Sequence, residues 1–185
     1  MVGKIQSFPF SADSGAKVLI LGSMPGVESL RQQQYYAHPR NLFWNFMGEL
    51  FGAGRDLTYE ERLAALRKDR VALWDVAHTC RREGSLDSNM TDVEANDFPA
   101  LFKTAPHIHT VFFNGQKAAA LFHKLVFPSL FPVAEVPDLG KRRGHGPRPT
   151  ELKLVTLPST SPANASIPLA KKKAAWKQVP AALAR

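Results

Sequence analysis

The chain has 185 residues, 44% hydrophobic and 22% charged, which fits one folded domain and excludes wholesale disorder. No apolar run approaches the ~20 residues of a membrane span, and the first ten residues lack the basic, apolar and small-residue segments of a secretory signal. Lys and Arg outnumber Asp and Glu 24 to 16, and the resulting +8 favours polyanions, nucleic acid before acidic membrane surfaces. Residues 1–16, polar and small with Pro9 between two phenylalanines, read as an arm over the domain edge. Lys17 to Gly22 reads as a buried strand, a short apolar run stopped by Gly22 and Pro25. Ser23 to Arg40 reads as a long loop. Phe43, Phe46, Met47, Leu50 and Phe51 recur at three- and four-residue steps and predict a helix over 41–51. Thr58 caps a second helix to Lys68, with Glu61 in the capping-box position.

Val71 to Val76 reads as a second strand, and Ala77 to Asp97 as a long polar loop with one short helical turn. Thr110 to Phe113 predicts a third strand, running through Asn114-Gly115 into a helix over 116–125. Phe127 to Pro149 reads as a loop around a short edge strand at 133–136, and Leu152 to Leu157 as the last strand, broken by Pro158. From Ile167 the chain reads as helical. Leu169, Trp176 and Leu183 share one face, lysines take the other, and Pro180 ends or kinks the helix. Strands alternating with helices predict an α/β fold, a three-layer α/β/α sandwich with a mostly parallel central sheet, as a single domain over 1–185. In such a sheet the ligand site lies beyond the carboxyl ends of the strands.

The loops leaving those ends carry the candidate residues. Gly22-Ser23-Met24-Pro25-Gly26 is a turn that admits a ligand close to the backbone. Asn41 either caps its helix or faces the pocket. Phe43 is either core or a ring that stacks on a planar base, and Tyr35, Tyr36 and His38 are either a pocket rim or packing. Asn114 is either turn chemistry or an amide for a base edge. Ser159, Thr160, Ser161, Ala163 and Asn164 belong to either a capped helix start or a phosphate-binding loop. Two basic patches remain. Lys141, Arg142 and Arg143 suit phosphate contact beside the site, and Lys171 to Lys173 suit a solvated helix face.

Other chemistries lack their residues. The chain has no Walker-type loop, no dinucleotide fingerprint and no nucleophile elbow. Cys80, the only cysteine, excludes an internal disulfide and makes the cytoplasm the default location. His78 beside Cys80 lacks a third partner for thiol catalysis, and His107 and His109 lack neighbours at metal-ligand spacing.

Gly22-Ser-Met-Pro-Gly26, His38-Pro-Arg-Asn-Leu-Phe-Trp44, Phe113-Asn-Gly115 and Leu157-Pro-Ser-Thr-Ser-Pro-Ala-Asn164, each at a strand end and in this order, resemble the uracil-DNA glycosylase superfamily. The set is most similar to its hypoxanthine-DNA (deoxyinosine) glycosylase branch. The resemblance spans Val18 to about Trp176. It implies base flipping into a pocket and hydrolysis of the base–sugar bond to leave an abasic site. It further implies Asn41 as the catalytic residue, Phe43 as the stacking ring, Asn114 as a base reader, and Ser159 to Asn164 as the loop that grips the strand. The implied partner is DNA with a deaminated base, bound by a monomer in the cytoplasm (at the nucleoid in a prokaryote), without cofactor or metal. Ser23, Met24 and Pro25 replace the Asn or Asp-Pro of uracil-directed relatives, Leu157 replaces a histidine of the best-known uracil branch, and Ala163 stands where some relatives insert a long wedge. Asp75 and Asp87 are the acidic candidates, and no lysine is placed for a Schiff base. Two alternatives stay open: a glycosylase of the same fold acting mainly on uracil or another damaged base, and a DNA-binding module with little catalysis.

Overall fold

The computed structural model of the chain describes residues 3–131 and 152–184. In chain order its elements are β1 (Lys4–Gln6), β2 (Val18–Gly22), α1 (Val27–Gln32), α2 (Phe43–Phe51), α3 (Tyr59–Lys68), β3 (Val71–Asp75), β4 (Ala77–Arg81), β5 (Thr91–Ala95) and α4 (Phe98–Thr104). Then follow β6 (Thr110–Asn114), α5 (Gln116–Leu125), α6 (Phe127–Leu130), β7 (Lys153–Leu157), α7 (Leu169–Trp176) and α8 (Gln178–Leu183). Strands β3-β2-β6-β7 form a parallel sheet in that order. Every residue of β2 and β3 is buried, as expected of apolar strands covered on both faces.

The register pairs Gly22 with Asp75 and Asn114 with Leu157, so the four strands end level at one edge. From β2 the chain runs out to β3, then returns across β2 to β6. Right-handed crossovers that run in opposite directions put their helices on opposite faces and open a crevice at the reversal. Aromatic packing marks the two helical layers. Phe98 of α4 meets Phe122 of α5 on one side, and Trp176 of α7 meets Phe43 and Phe46 of α2 on the other.

Beside the main sheet lies a second, antiparallel one in the order β1-β4-β5. It overturns the expected loop over 77–97. Its strands are short, and exposed residues such as Arg81, Thr91 and Glu94 break up the apolar run that marks a buried strand. The partner strand β1 lies some 75 residues upstream, pairing Ile5 with Cys80, so no local pattern announces the sheet. The anticipated helical turn is there, at Asp87–Asn89. Three further helices were not anticipated. The four-residue α6 opens the expected loop over 127–149, with Pro128 tolerated in its first turn. The short α1 interrupts the first loop, and α4 is capped by Asp97, whose carboxylate accepts from the Ala100 amide at 3.0 Å.

The C-terminal helix divides at Lys177, three residues before Pro180, whose missing N–H would otherwise bond a carbonyl of the preceding turn. Its expected faces are corrected: Leu169 is 49% exposed, whereas Lys172 is only 3% exposed. Leu169 is the first residue of α7, and the division at Lys177 puts Leu183 on a separate helix, so the three residues do not share one face. Arg142, Arg143, Lys141 and the expected edge strand at 133–136 lie outside the described residues.

The capping box of α3 is complete. The Glu61 amide donates to the Thr58 hydroxyl, and the Glu61 carboxylate accepts from the Thr58 amide at 2.8 Å. Those bonds hold the Glu61 carboxyl below its ordinary value of 4.5. A lowered carboxylate stabilises the fold in full above that value and loses its contribution as pH falls through the folded pKa. The wild-type denaturation midpoint should therefore fall faster than that of Glu61→Gln as pH drops below the ordinary 4.5, and parallel curves would refute the box as the cause. Thr58→Ala should cost about 1 kcal/mol at neutral pH.

Candidate active site

The carboxyl edge of the sheet opens into a cavity of about 150 Å³. A cavity of ~150 Å³ elsewhere accepts benzene, so the space suits one planar ring system. Its walls come from four strand ends: Gly22 to Gly26 after β2, Asp75 at the end of β3, Asn114 at the end of β6, and Ser159 to Pro162 after β7. Tyr36, His38 and Asn41 close it from the first loop.

Gly22 is required by its neighbours. A Cβ there would lie 2.2 Å from Asp75 Oδ1 and 2.9 Å from the Tyr36 hydroxyl. The Asp75 carboxylate, 2% exposed, thus lies directly against the Gly22 backbone, and Ser7 of the N-terminal segment donates to its Oδ2 at 2.9 Å. Burial pushes the Tyr35 hydroxyl well up, and the Asp75 charge adds to the effect, which keeps that phenol protonated.

Asn41 lies two residues ahead of Phe43, the first residue of α2, with Leu42 at the N-cap. Its Oδ1 accepts from the Phe43 amide at 3.0 Å, so the side chain satisfies the first helical N–H and lines the cavity at once. With Oδ1 oriented by that bond, the Nδ2 donors are what Asn41 offers a ligand. Arg55 fixes the segment by donating from Nη2 to the carbonyls of His38 and Asn41, both at 3.0 Å. His38 Nδ1 accepts from the Arg40 amide at 3.1 Å, which assigns the neutral ring's proton to Nε2.

Asn114 and Thr160 bond reciprocally: Nδ2 donates to Oγ1 and the Thr160 amide donates to Oδ1, both at 2.8 Å. Half of the amide's capacity ties β6 to the last loop, and one N–H and one lone pair remain. Gly115, at φ +102°, lets the chain turn there, where a Cβ would meet Ser159 Cβ at 2.9 Å. From below, α7 grips the same loop. Lys172 Nζ donates to the carbonyls of Ser159 (2.8 Å) and Asn164, and Trp176 Nε1 donates to Pro158 at 2.9 Å. Burial lowers the Lys172 pKa below the ordinary 10.5.

Phe43 does not reach the cavity wall. It is fully buried beneath Tyr36, with ring centroids 4.0 Å apart at 23°. Tyr36 lines the space together with Tyr35 and His38, and its φ of +55° is rare for a bulky residue. Ala163 and Asn164 stand outside the cavity. Asn164 instead lines a groove that continues from Thr160 and Pro162 toward Leu169. Ser85, from the turn between β4 and β5, completes the wall; its hydroxyl accepts from the Val27 amide at 2.9 Å.

The level strand ends, the Gly22 turn and the two amides facing one ring-sized space are what a base-excising α/β domain needs. The chain belongs to the uracil DNA glycosylase superfamily, whose model matches residues 8–181. Among its relatives, the Hypoxanthine DNA glycosylase of Methanosarcina acetivorans is 44% identical over 61% of this chain and 72% of its own length. The protein of the same name from Methanosarcina barkeri is 42% identical over 62% and 73%. The solution NMR structure of a candidate uracil DNA glycosylase from M. acetivorans superposes with a TM-score of 0.75 at 32% identity, covering 99% of this chain and all of that one.

Proposed function

We propose that this protein flips a deaminated base out of DNA, hypoxanthine of deoxyinosine first, and hydrolyses its N-glycosidic bond to leave an abasic site. The observation that carries the reading is the Asp75 carboxylate held against Gly22 in a ring-sized cavity. A carboxylate only accepts hydrogen bonds. Deamination turns adenine N1, an acceptor, into the N1–H donor of hypoxanthine, so a buried acceptor facing that position pairs with the deaminated base and meets a lone pair on the normal one. The names of the Methanosarcina relatives point to the same base.

In this reading Tyr36 packs against the flipped base. Asn41 Nδ2 and His38 Nε2–H donate to it as negative charge builds during departure. Fixed donors of this kind typically contribute ~3–4 kcal/mol to a transition state. Water adds its oxygen to C1′ of the cation-like sugar, and its proton goes to the departing base. Asn114, Thr160 and Ser161 position the flanking strand. The reaction ends at the abasic site, because no lysine is assigned an imine-forming role. The protein acts on DNA as a monomer.

Labelled oligonucleotides carrying one deoxyinosine, uracil or xanthine, incubated with protein in a chelator and then treated with alkali, test this. A break at deoxyinosine supports the reading. A break at uracil alone moves the substrate to the second base. Salt-sensitive binding with no break at any base leaves a DNA-binding module.

A further inference from the structure

A flipped nucleotide leaves a hole in the duplex, and closing that hole lowers the cost of flipping. The loop over 159–164 offers only Ser, Thr, Pro, Ala and Asn for the purpose. Among the described residues, three large apolar side chains stand exposed: Leu86 (56%), Val27 (53%) and Leu169 (49%). Two of them adjoin the cavity. Val27 follows Gly26 and Leu86 follows Ser85, both preceding residues are wall residues, and the Val27–Ser85 hydrogen bond joins the two segments.

The turn that carries Leu86 is firmly held. The Asn89 amide donates to the Leu86 carbonyl at 3.1 Å. The buried Arg82 guanidinium donates to the carbonyls of Gly84 (3.0 Å) and Pro25, tying the turn to the first loop. From Glu83 to Asn89 the turn has no Lys or Arg and carries the acidic Glu83 and Asp87, so it is not built to bind phosphate, and Leu86 is its one large apolar side chain. An exposed leucine on a fixed turn beside a base pocket has a natural occupant opposite it, the gap in the base stack.

We propose that Leu86 inserts into the duplex beside the flipped nucleotide and fills the space the base leaves. This places the wedge on the turn of the second sheet rather than on the loop after β7, and it rests on the glycosylase reading. A wedge is needed where a base must be unstacked from a duplex and is idle on a single strand. Leu86→Ala should slow single-turnover excision of deoxyinosine from an inosine–thymine duplex by about tenfold or more, and alter single-strand excision by less than about twofold. Leu86→Met should restore the duplex rate. In a parallel arm, 2-aminopurine placed beside the target should brighten on binding wild-type protein and respond less to Leu86→Ala.

An unchanged duplex rate, or equal loss on both substrates, would overturn the wedge. If the wild type excises nothing, the fluorescence arm decides alone. Brightening that depends on Leu86 keeps the wedge while the excision reading falls. Brightening independent of Leu86, or none, removes the wedge.

Discussion

Replacing Asn41 by Ala should lower excision of deoxyinosine by about a hundredfold or more, the scale seen when one preorganised donor is removed. Duplex affinity at low salt should stay within about threefold of wild type, because phosphate contacts supply most of it. The same change removes the acceptor for the Phe43 amide, so about 1 kcal/mol of stability should go with it. Asn41→Asp separates the two roles. It keeps an oxygen for the Phe43 amide and removes both Nδ2 donors, so it should recover the stability and not the activity. Should Asn41→Asp excise as fast as the wild type, the donor role assigned to Asn41 is wrong.

The second large effect is expected at Gly22. An alanine methyl would fall 2.2 Å from Asp75 Oδ1, and neither neighbour yields easily. Asp75 is buried and held by Ser7, and Tyr36 is stacked on Phe43. The methyl must displace the carboxylate into the space intended for the base. Misplacing a reacting group by ~1 Å can cost 10²-fold, and excision by Gly22→Ala should fall by at least about that factor. Overpacking should cost a further ~1–3 kcal/mol of stability, read as a lower urea midpoint. A Gly22→Ala protein with wild-type turnover would show that Asp75 does not border the base.

Much of this architecture was legible in the chain. Strands β2 and β3 are apolar runs buried throughout, β6 is nearly so, and the edge strand β7 keeps a shorter apolar core between exposed Lys153 and Thr156; α5 and the α3 capping box matched their local signals residue for residue. The second sheet was not legible, because β1, β4 and β5 mix buried and exposed residues and owe their existence to pairing across distant sequence. The cap of α4, an Asp followed by Pro99 in the first turn, was a readable signal. In the site, the glycine turn, Asn41, Asn114 and Ser159 to Ser161 converge as their strand-end positions implied. The aromatic residue was misjudged for a geometric reason. Helical spacing places Phe43 on the apolar face of α2, while the left-handed backbone of Tyr36 swings that ring over it. Arg55 and Ser85 carried no motif; only the folded chain brings them to the loop they hold.

Lys172 and Trp176 leave the ribosome after every strand of the sheet, yet they grip the loop that forms one wall of the cavity. A chain clipped ahead of Lys172 loses these ties to the loop together with the packing of Trp176 on Phe43 and Phe46. Tying one wall to a helix beyond the last strand makes the shape of the cavity depend on α7 being in place as well as on the sheet.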